Sequence, residues 1–158
     1  MNIEIVLIGF EHKSVLMQLM ELYDYEFTEY DNRDVNEHGL YGYKHIDDYW
    51  NEKGRYPYFI KVDGKIAGFV LISSPERYSV SEFFVMLKYR RKGIGMQVMA
   101  EIFDRHKGDW EIGYWKSNIR ASKFWKAVVE KYTNGNYQTF EEDDENDKHG
   151  GFVFSNKT

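Results

Sequence analysis

SEFFVMLKYRRKGIGMQVMAEIF, residues 81–103, decides how the rest of the chain is read. Its opening residues, 81–87, are dense in aromatic, β-branched and other apolar side chains, the composition of a strand. A basic cluster follows, Lys88, Arg90, Arg91 and Lys92, and then Gly93 and Gly95. Beyond them Ile94, Val98 and Ile102 recur at helical spacing. The order is therefore strand, basic glycine loop, helix. A helix start carries unpaired N–H groups and the positive end of the helix dipole. Glycine lets a ligand approach that backbone, and arginine or lysine beside it suits a phosphate or diphosphate. The same residues also fit a solvated basic helix cap, the bland alternative for a short motif.

Known phosphate loops separate on these residues. No GxxxxGK[ST] run occurs, and the dinucleotide pattern GxGxxG stops after Gly93-Ile94-Gly95, because Met96, Gln97 and Val98 follow. What fits is Arg90-x-x-Gly93-x-Gly95 directly after a strand. This resembles the acetyl-CoA loop, [QR]xxGx[GA], of the GNAT superfamily of N-acetyltransferases. Residues 84–90, FVMLKYR, look like that family's strand and turn into the loop, with Leu87 where many members have proline. A second segment, Asn118-Ile119-Arg120-Ala121-Ser122-Lys123-Phe124-Trp125, resembles the family's NxxAxxFY. There Trp125 stands where many members have a tyrosine proposed to protonate the leaving thiolate. An indole N–H donates but does not titrate near neutrality. The general acid therefore does not carry over: either another tyrosine serves, or the thiolate takes its proton from water.

The resemblance implies a fold class of α/β (α+β) type, a mixed, mostly antiparallel sheet with helices on both faces. It also implies a splay between the fourth and fifth strands, residues 79–87 and 110–114, where the pantetheine arm of the cofactor lies. The implied cofactor contacts are Phe84, Val85, Arg90, Arg91, Lys92, Gly93, Ile94, Gly95, Met96 and Asn118, with a backbone N–H near Phe84 or Val85 as donor to the thioester oxygen. Asn118 fits a helix N-cap equally well, and a capping Asn can do both. Glu82 is the candidate catalytic base, a carboxylate on the strand just before Phe84. Its alternative is a strand-surface carboxylate, since an ionised group in an aromatic sheet is costly unless paired.

Composition narrows the rest. One domain spans 1–158, a length sufficient to bury a single core. Formal net charge is −5, which argues against nucleic acid and fits, weakly, a cationic amine acceptor. The absence of cysteine excludes disulfides, thiolate zinc sites and a cysteine nucleophile. No pair of histidines has metal-ligand spacing, so no metal is expected. The first residues, MNIEIVLIGFEHK, read as a strand and not a signal peptide, and no apolar run reaches membrane length. These features point to a cytoplasmic protein, monomer or homodimer, free of membrane and nucleic acid.

Along the chain the pattern predicts a strand at 3–7, a helix at 11–23 and strands at 56–62 and 65–73 around an Asp63-Gly64 turn. After the organising strand and helix come a strand at 110–114, a helix at 119–132 and strands at 137–140 and 151–154. Residues 24–54 lose their period, apart from a short helix near 46–50. Their scattered rings, Phe27, Tyr30, Tyr41, Tyr43, Tyr49 and Trp50, either line a substrate cleft or cover the sheet. The acidic run 141–147 is expected as a solvated loop. Acetyl transfer from acetyl-CoA to a small-molecule or peptide primary amine is the expected activity. A coenzyme A-binding module without catalysis is the alternative, motivated by Trp125.

Overall fold

The computed structural model describes residues 1–144 and 147–157. In chain order the elements are β1 (Ile3–Leu7), α1 (Lys13–Asp31), α2 (Asp48–Asn51), β2 (Arg55–Val62), β3 (Lys65–Ser73), β4 (Tyr78–Val85), α3 (Ile94–Arg105), β5 (Asp109–Trp115), α4 (Ile119–Thr133), β6 (Gln138–Asp144) and β7 (Asp147–Ser155). Seven strands form one sheet in the order β1-β2-β3-β4-β5-β7-β6. Every pairing is antiparallel except β4 with β5. Asp63 and Gly64 take φ of 51° and 80°, the left-handed pair that a two-residue turn between β2 and β3 requires.

Strand alternation sends successive side chains to opposite faces, and the core divides accordingly. Ile60, Val62, Val70 and Ile72 pack with Ile94, Val98, Ile102 and Phe103 of α3 and with Val128 and Val129 of α4. Phe59, Phe69, Leu71 and Phe84 pack instead with Leu16 and Met20 of α1 and with Ile46 and Tyr49. The helices therefore cover both faces, α3 and α4 on one, α1 and α2 on the other. No helix among the described residues is long and apolar enough to cross a membrane.

The feature that positions the site is the junction of β4 and β5. They pair only at Tyr78 with Trp110 and Ser79 with Glu111. On its other side β4 pairs Val80 with Ile72 and Glu82 with Leu71, so Ser81 is an extra residue in the ladder. Such a bulge bends a strand and sharpens its twist. Beyond it β4 leaves β5, and the sheet forks.

Two expectations are corrected. The first helix runs to Asp31, two turns past its predicted end at Tyr23. The acidic run is not a free loop: Glu141–Asp144 extend β6 and pair with β7, while Lys116 bridges Glu141 (3.2 Å) and Asp143 (3.1 Å). Glu145 and Asn146, in the middle of that run, lie outside the described residues.

Candidate active site

The fork opens into a cleft of about 1080 Å³ bounded by β4, β5, the C-terminal half of α1, the loop before α3 and the start of α4. Glu82, Phe84, Val85, Arg90, Arg91, Gly93, Ile94, Gly95, Met96 and Asn118 all line it. Lys92 does not; it is exposed beside the cleft.

At the loop, Gly93 is the N-cap of α3, with φ 76° and ψ 7°, and no side chain caps the helix. Gln97 N–H reaches back to Gly93 O at 3.2 Å. The earlier first-turn amides, Ile94, Gly95 and Met96, therefore have no intrahelical acceptor. A Cβ on Gly93 would meet nothing within 4 Å, so open space lies beside the amides. Gly95 answers a different need, since a Cβ there would come within 2.9 Å of the Phe124 ring. Together with the exposed guanidinium groups of Arg91 and Arg120, these amides make an end of the cleft whose chemistry suits an anion.

Arg90 is engaged by the protein itself. Its Nε donates to Val85 O at 2.6 Å, and its terminal nitrogen pairs with Glu26 at 2.8 Å. It braces α1 against the end of β4 with its guanidinium 5.7 Å from the Phe84 ring. The two backbone candidates at the fork also separate. Met86 N–H donates to Ala67 O on β3. By two-residue alternation the Phe84 amide points the same way, and the Val85 amide points into the gap.

Asn118 is the N-cap of α4, its Oδ1 accepting from Ala121 N–H at 3.0 Å. The cap reading holds, and the side chain borders the cleft as well. Trp125 is 6% exposed, packs edge-on against Phe83 and Phe124, and borders the cleft with what surface it keeps.

Glu82 lies half-buried just past the bulge, on the face covered by α1. Burial pushes its carboxyl up to about 7; a hydrogen bond from Tyr23 opposes that rise, and the charge of Asp24 adds to it. Tyr23 itself is fixed by ring contacts to Phe69 at 5.6 Å and Phe84 at 5.7 Å. Burial, with Glu82 beside it, lifts the Tyr23 hydroxyl well above the ordinary tyrosine range, so it stays a neutral donor.

Sequence reasoning offered Phe27, Tyr30 and Tyr43 as cleft rings but missed that the first two sit on a continuation of α1, beside Tyr23. Tyr23, Phe27 and Tyr30 continue at helical spacing along the cleft, with Phe27 edge-on to Trp115 of β5 at 5.3 Å. Asp24, 4% exposed, accepts from Arg33 at 3.2 Å, and Arg33 also pairs with Asp31 at 2.7 Å. Glu21 accepts from the amides of Tyr41 (2.7 Å) and Gly42 (3.0 Å), which holds the 32–47 segment so that Tyr43 borders the cleft. The scattered rings thus divide: Phe27, Tyr30 and Tyr43 face the cleft, whereas Tyr49 is core and Trp50 Nε1 donates to Ile8 O. The spacing of residues 23, 27 and 30 was the available signal.

The model of the Acetyltransferase (GNAT) family matches residues 16–128. No curated protein matches the chain in sequence. Among solved structures, an acetyltransferase from Thermus thermophilus superposes with TM-score 0.71 at 11% identity, over 98% of this chain and 97% of that one. The ribosomal-protein-S18-alanine N-acetyltransferase of Escherichia coli gives 0.67 at 10% identity, over 99% and 96%. Spermidine N-acetyltransferase from Vibrio cholerae, in complex with CoA and spermine, gives 0.67 at 8% identity, over 97% and 95%. At such identities these neighbours share the fold. The family model spans most of the chain, from the first turn of α1 into α4. This protein, with its forked sheet and glycine loop, belongs to the GNAT family of acetyltransferases.

Proposed function

We propose that the cleft transfers the acetyl group of acetyl-CoA to a primary amine, by direct attack while both are bound. The observation that carries this reading is Glu82, a carboxyl lifted to about 7 inside the fork that opens beside an uncapped helix start. The donor set fits the cofactor: free amides of Ile94, Gly95 and Met96 with Arg91 and Arg120 for the diphosphate, and the β4–β5 gap for the thin pantetheine arm. The Vibrio cholerae neighbour, solved with CoA, supports the same assignment.

When bound, acetyl-CoA supplies an acetyl group activated as a thioester. Glu82, directly or through water, takes one proton from the incoming ammonium and leaves a neutral nucleophile. A carboxylate poised near 7 accepts that proton and releases it to solvent at neutral pH. The Val85 amide, facing the gap, donates to the carbonyl oxygen as it gains negative charge, a contribution of a few kcal/mol. A nitrogen–carbon bond forms, the carbon–sulfur bond breaks, and the second nitrogen proton ends on sulfur. Products are the N-acetyl amine, coenzyme A and one proton released. Trp125 borders the cleft but plays no acid role, because an indole N–H does not titrate near neutrality. With thiol pKa values near 8.5, the departing sulfur needs little help, from water or from a cleft tyrosine.

The test is release of free thiol from acetyl-CoA with a panel of amines. Amine-dependent release supports the reading. Tight coenzyme A binding with no release on any amine would instead favour the non-catalytic module.

A further inference from the structure

β3 and β4 carry three serines on one face of the sheet, and their part-buried hydroxyls form an unbroken row. Ser73 Oγ lies 2.9 Å from Ser81 Oγ and 3.0 Å from Ser79 Oγ. The bulge joins this row to the Glu82 site. Ser73 pairs with Ser79, and Leu71 pairs with Glu82. Leu71 and Ser73, two residues apart, share a face, so Glu82 shares it with all three serines. In a regular ladder Ser81 and Glu82 would point to opposite faces; the extra residue puts both on this one. The two ends of the row open in different places. Ser81, like Glu82, lines the cleft. Ser73 and Ser79 line a second depression, of about 560 Å³, together with Arg77 and Glu111. Ser79 sits beside Glu111 of β5, where the two strands are still paired, so that depression lies behind the closed end of the fork.

A hydroxyl both donates and accepts, so a hydrogen-bonded row of them passes a proton along. Each turnover leaves one proton on Glu82, while coenzyme A in the gap and the amine over Glu82 displace water from the cleft-side way out. We propose that the serine row is the proton's exit, carrying it from Glu82 along the sheet face to the depression behind the fork while both products are still bound. This rests on the acetyl-transfer reading above. Glu82 gives its proton to Ser81 Oγ, directly or through one cleft water, as Ser81 passes its own to Ser73, Ser73 to Ser79, and Ser79 to solvent in the depression. Glu82 is left as a carboxylate, each serine as a neutral hydroxyl, and one proton has left the protein. The hydroxyls then turn back to their starting partners.

The experiment is a stopped-flow single turnover in weak buffer at neutral pH, with the amine that gives the fastest thiol release in the panel above. Loss of thioester absorbance reports bond cleavage, and a pH-indicator dye reports the proton reaching bulk solvent. The two traces are expected to coincide in the unaltered protein. Ser73→Val breaks the row at its middle and Ser73→Thr, of the same shape, keeps the hydroxyl. In Ser73→Val the proton should trail thioester loss by about tenfold or more, a conservative share of what a positioned proton transfer contributes. In Ser73→Thr the traces should coincide again. Traces that coincide in Ser73→Val, that separate in the unaltered protein, or that separate as far in Ser73→Thr as in Ser73→Val would overturn the proposal and leave acetyl transfer standing. No thioester loss with any amine would overturn the acetyl-transfer reading and this inference with it. Should Ser73→Val fail to fold, Ser79→Ala, which opens the row at its outer end, decides on the same two traces.

Discussion

Glu82→Gln is expected to make the protein more stable in alkaline solution while slowing it as an enzyme. In the folded protein Glu82 holds its proton up to about 7, whereas an ordinary glutamate releases it near 4.5. Between those values the folded state binds more protons than the unfolded chain, so stability falls as pH rises. Below 4.5 both states are protonated and the favourable contribution is complete; above about 7 it is lost. Each pKa unit corresponds to about 1.4 kcal/mol, so the ionised carboxylate costs about 3 kcal/mol of stability by about pH 8. Glutamine keeps the shape and does not ionise. Urea unfolding of both proteins across the range is the assay, in the absence of cofactor and amine. The variant-minus-parent difference should grow by about 3 kcal/mol from acid to alkaline solution, a midpoint shift of roughly 1–3 M urea. Other titrating groups largely cancel in that difference, Tyr23 and Asp24 excepted, since both couple directly to Glu82. A difference that stays flat with pH, or a variant that loses stability relative to its parent as pH rises, would refute a buried carboxyl at this position.

The remaining expectations concern rate and binding. The kcat/KM for amine should rise with an inflection near 7 in the pH profile, and Glu82→Gln should remove that inflection and lower the rate; a wild-type profile without it separates Glu82 from the proton transfer. Arg91→Ala with Arg120→Ala should weaken coenzyme A by about tenfold or more in calorimetry and leave pantetheine almost unaffected. Equal loss for both ligands would count against a diphosphate contact. Gly93→Ala forces a side chain into φ 76° and should cost about 1–2 kcal/mol in thermal unfolding while raising KM for acetyl-CoA. Full retention of both would contradict a conformational role for this glycine.

How much of this was legible in the sequence depended on what each element faces. α3 was legible because Ile94, Val98 and Ile102 all enter one core, so burial imposed a clean period. Asn118 and the start of α4 were legible for the same reason, with a cap followed by an apolar face. The second half of α1 was not, because it faces a cleft: Asp24, Glu26, Glu29 and Asp31 alternate with rings, and a wet wall carries no binary pattern. The fork was implied by resemblance alone. Its local cause, the extra residue at Ser81, leaves no compositional trace, since a bulge is a matter of register. The acidic run misled for an electrostatic reason: like charges side by side predict a repelled loop, but Lys116 from β5's end neutralises two of them across the ladder. The loop arginines show a further limit. Sequence offered Arg90 and Arg91 as equivalents, whereas Arg90 is consumed by Glu26 and Val85 O and Arg91 stands exposed at the cleft.

The most direct test of the central claim is a crystal structure of the protein with coenzyme A. The account predicts the diphosphate within hydrogen-bonding distance of the amides of Ile94, Gly95 and Met96, and the pantetheine arm between Val85 and Gly113, with its sulfur turned toward Glu82. A diphosphate bound elsewhere, or an arm that does not enter the gap between β4 and β5, would contradict it.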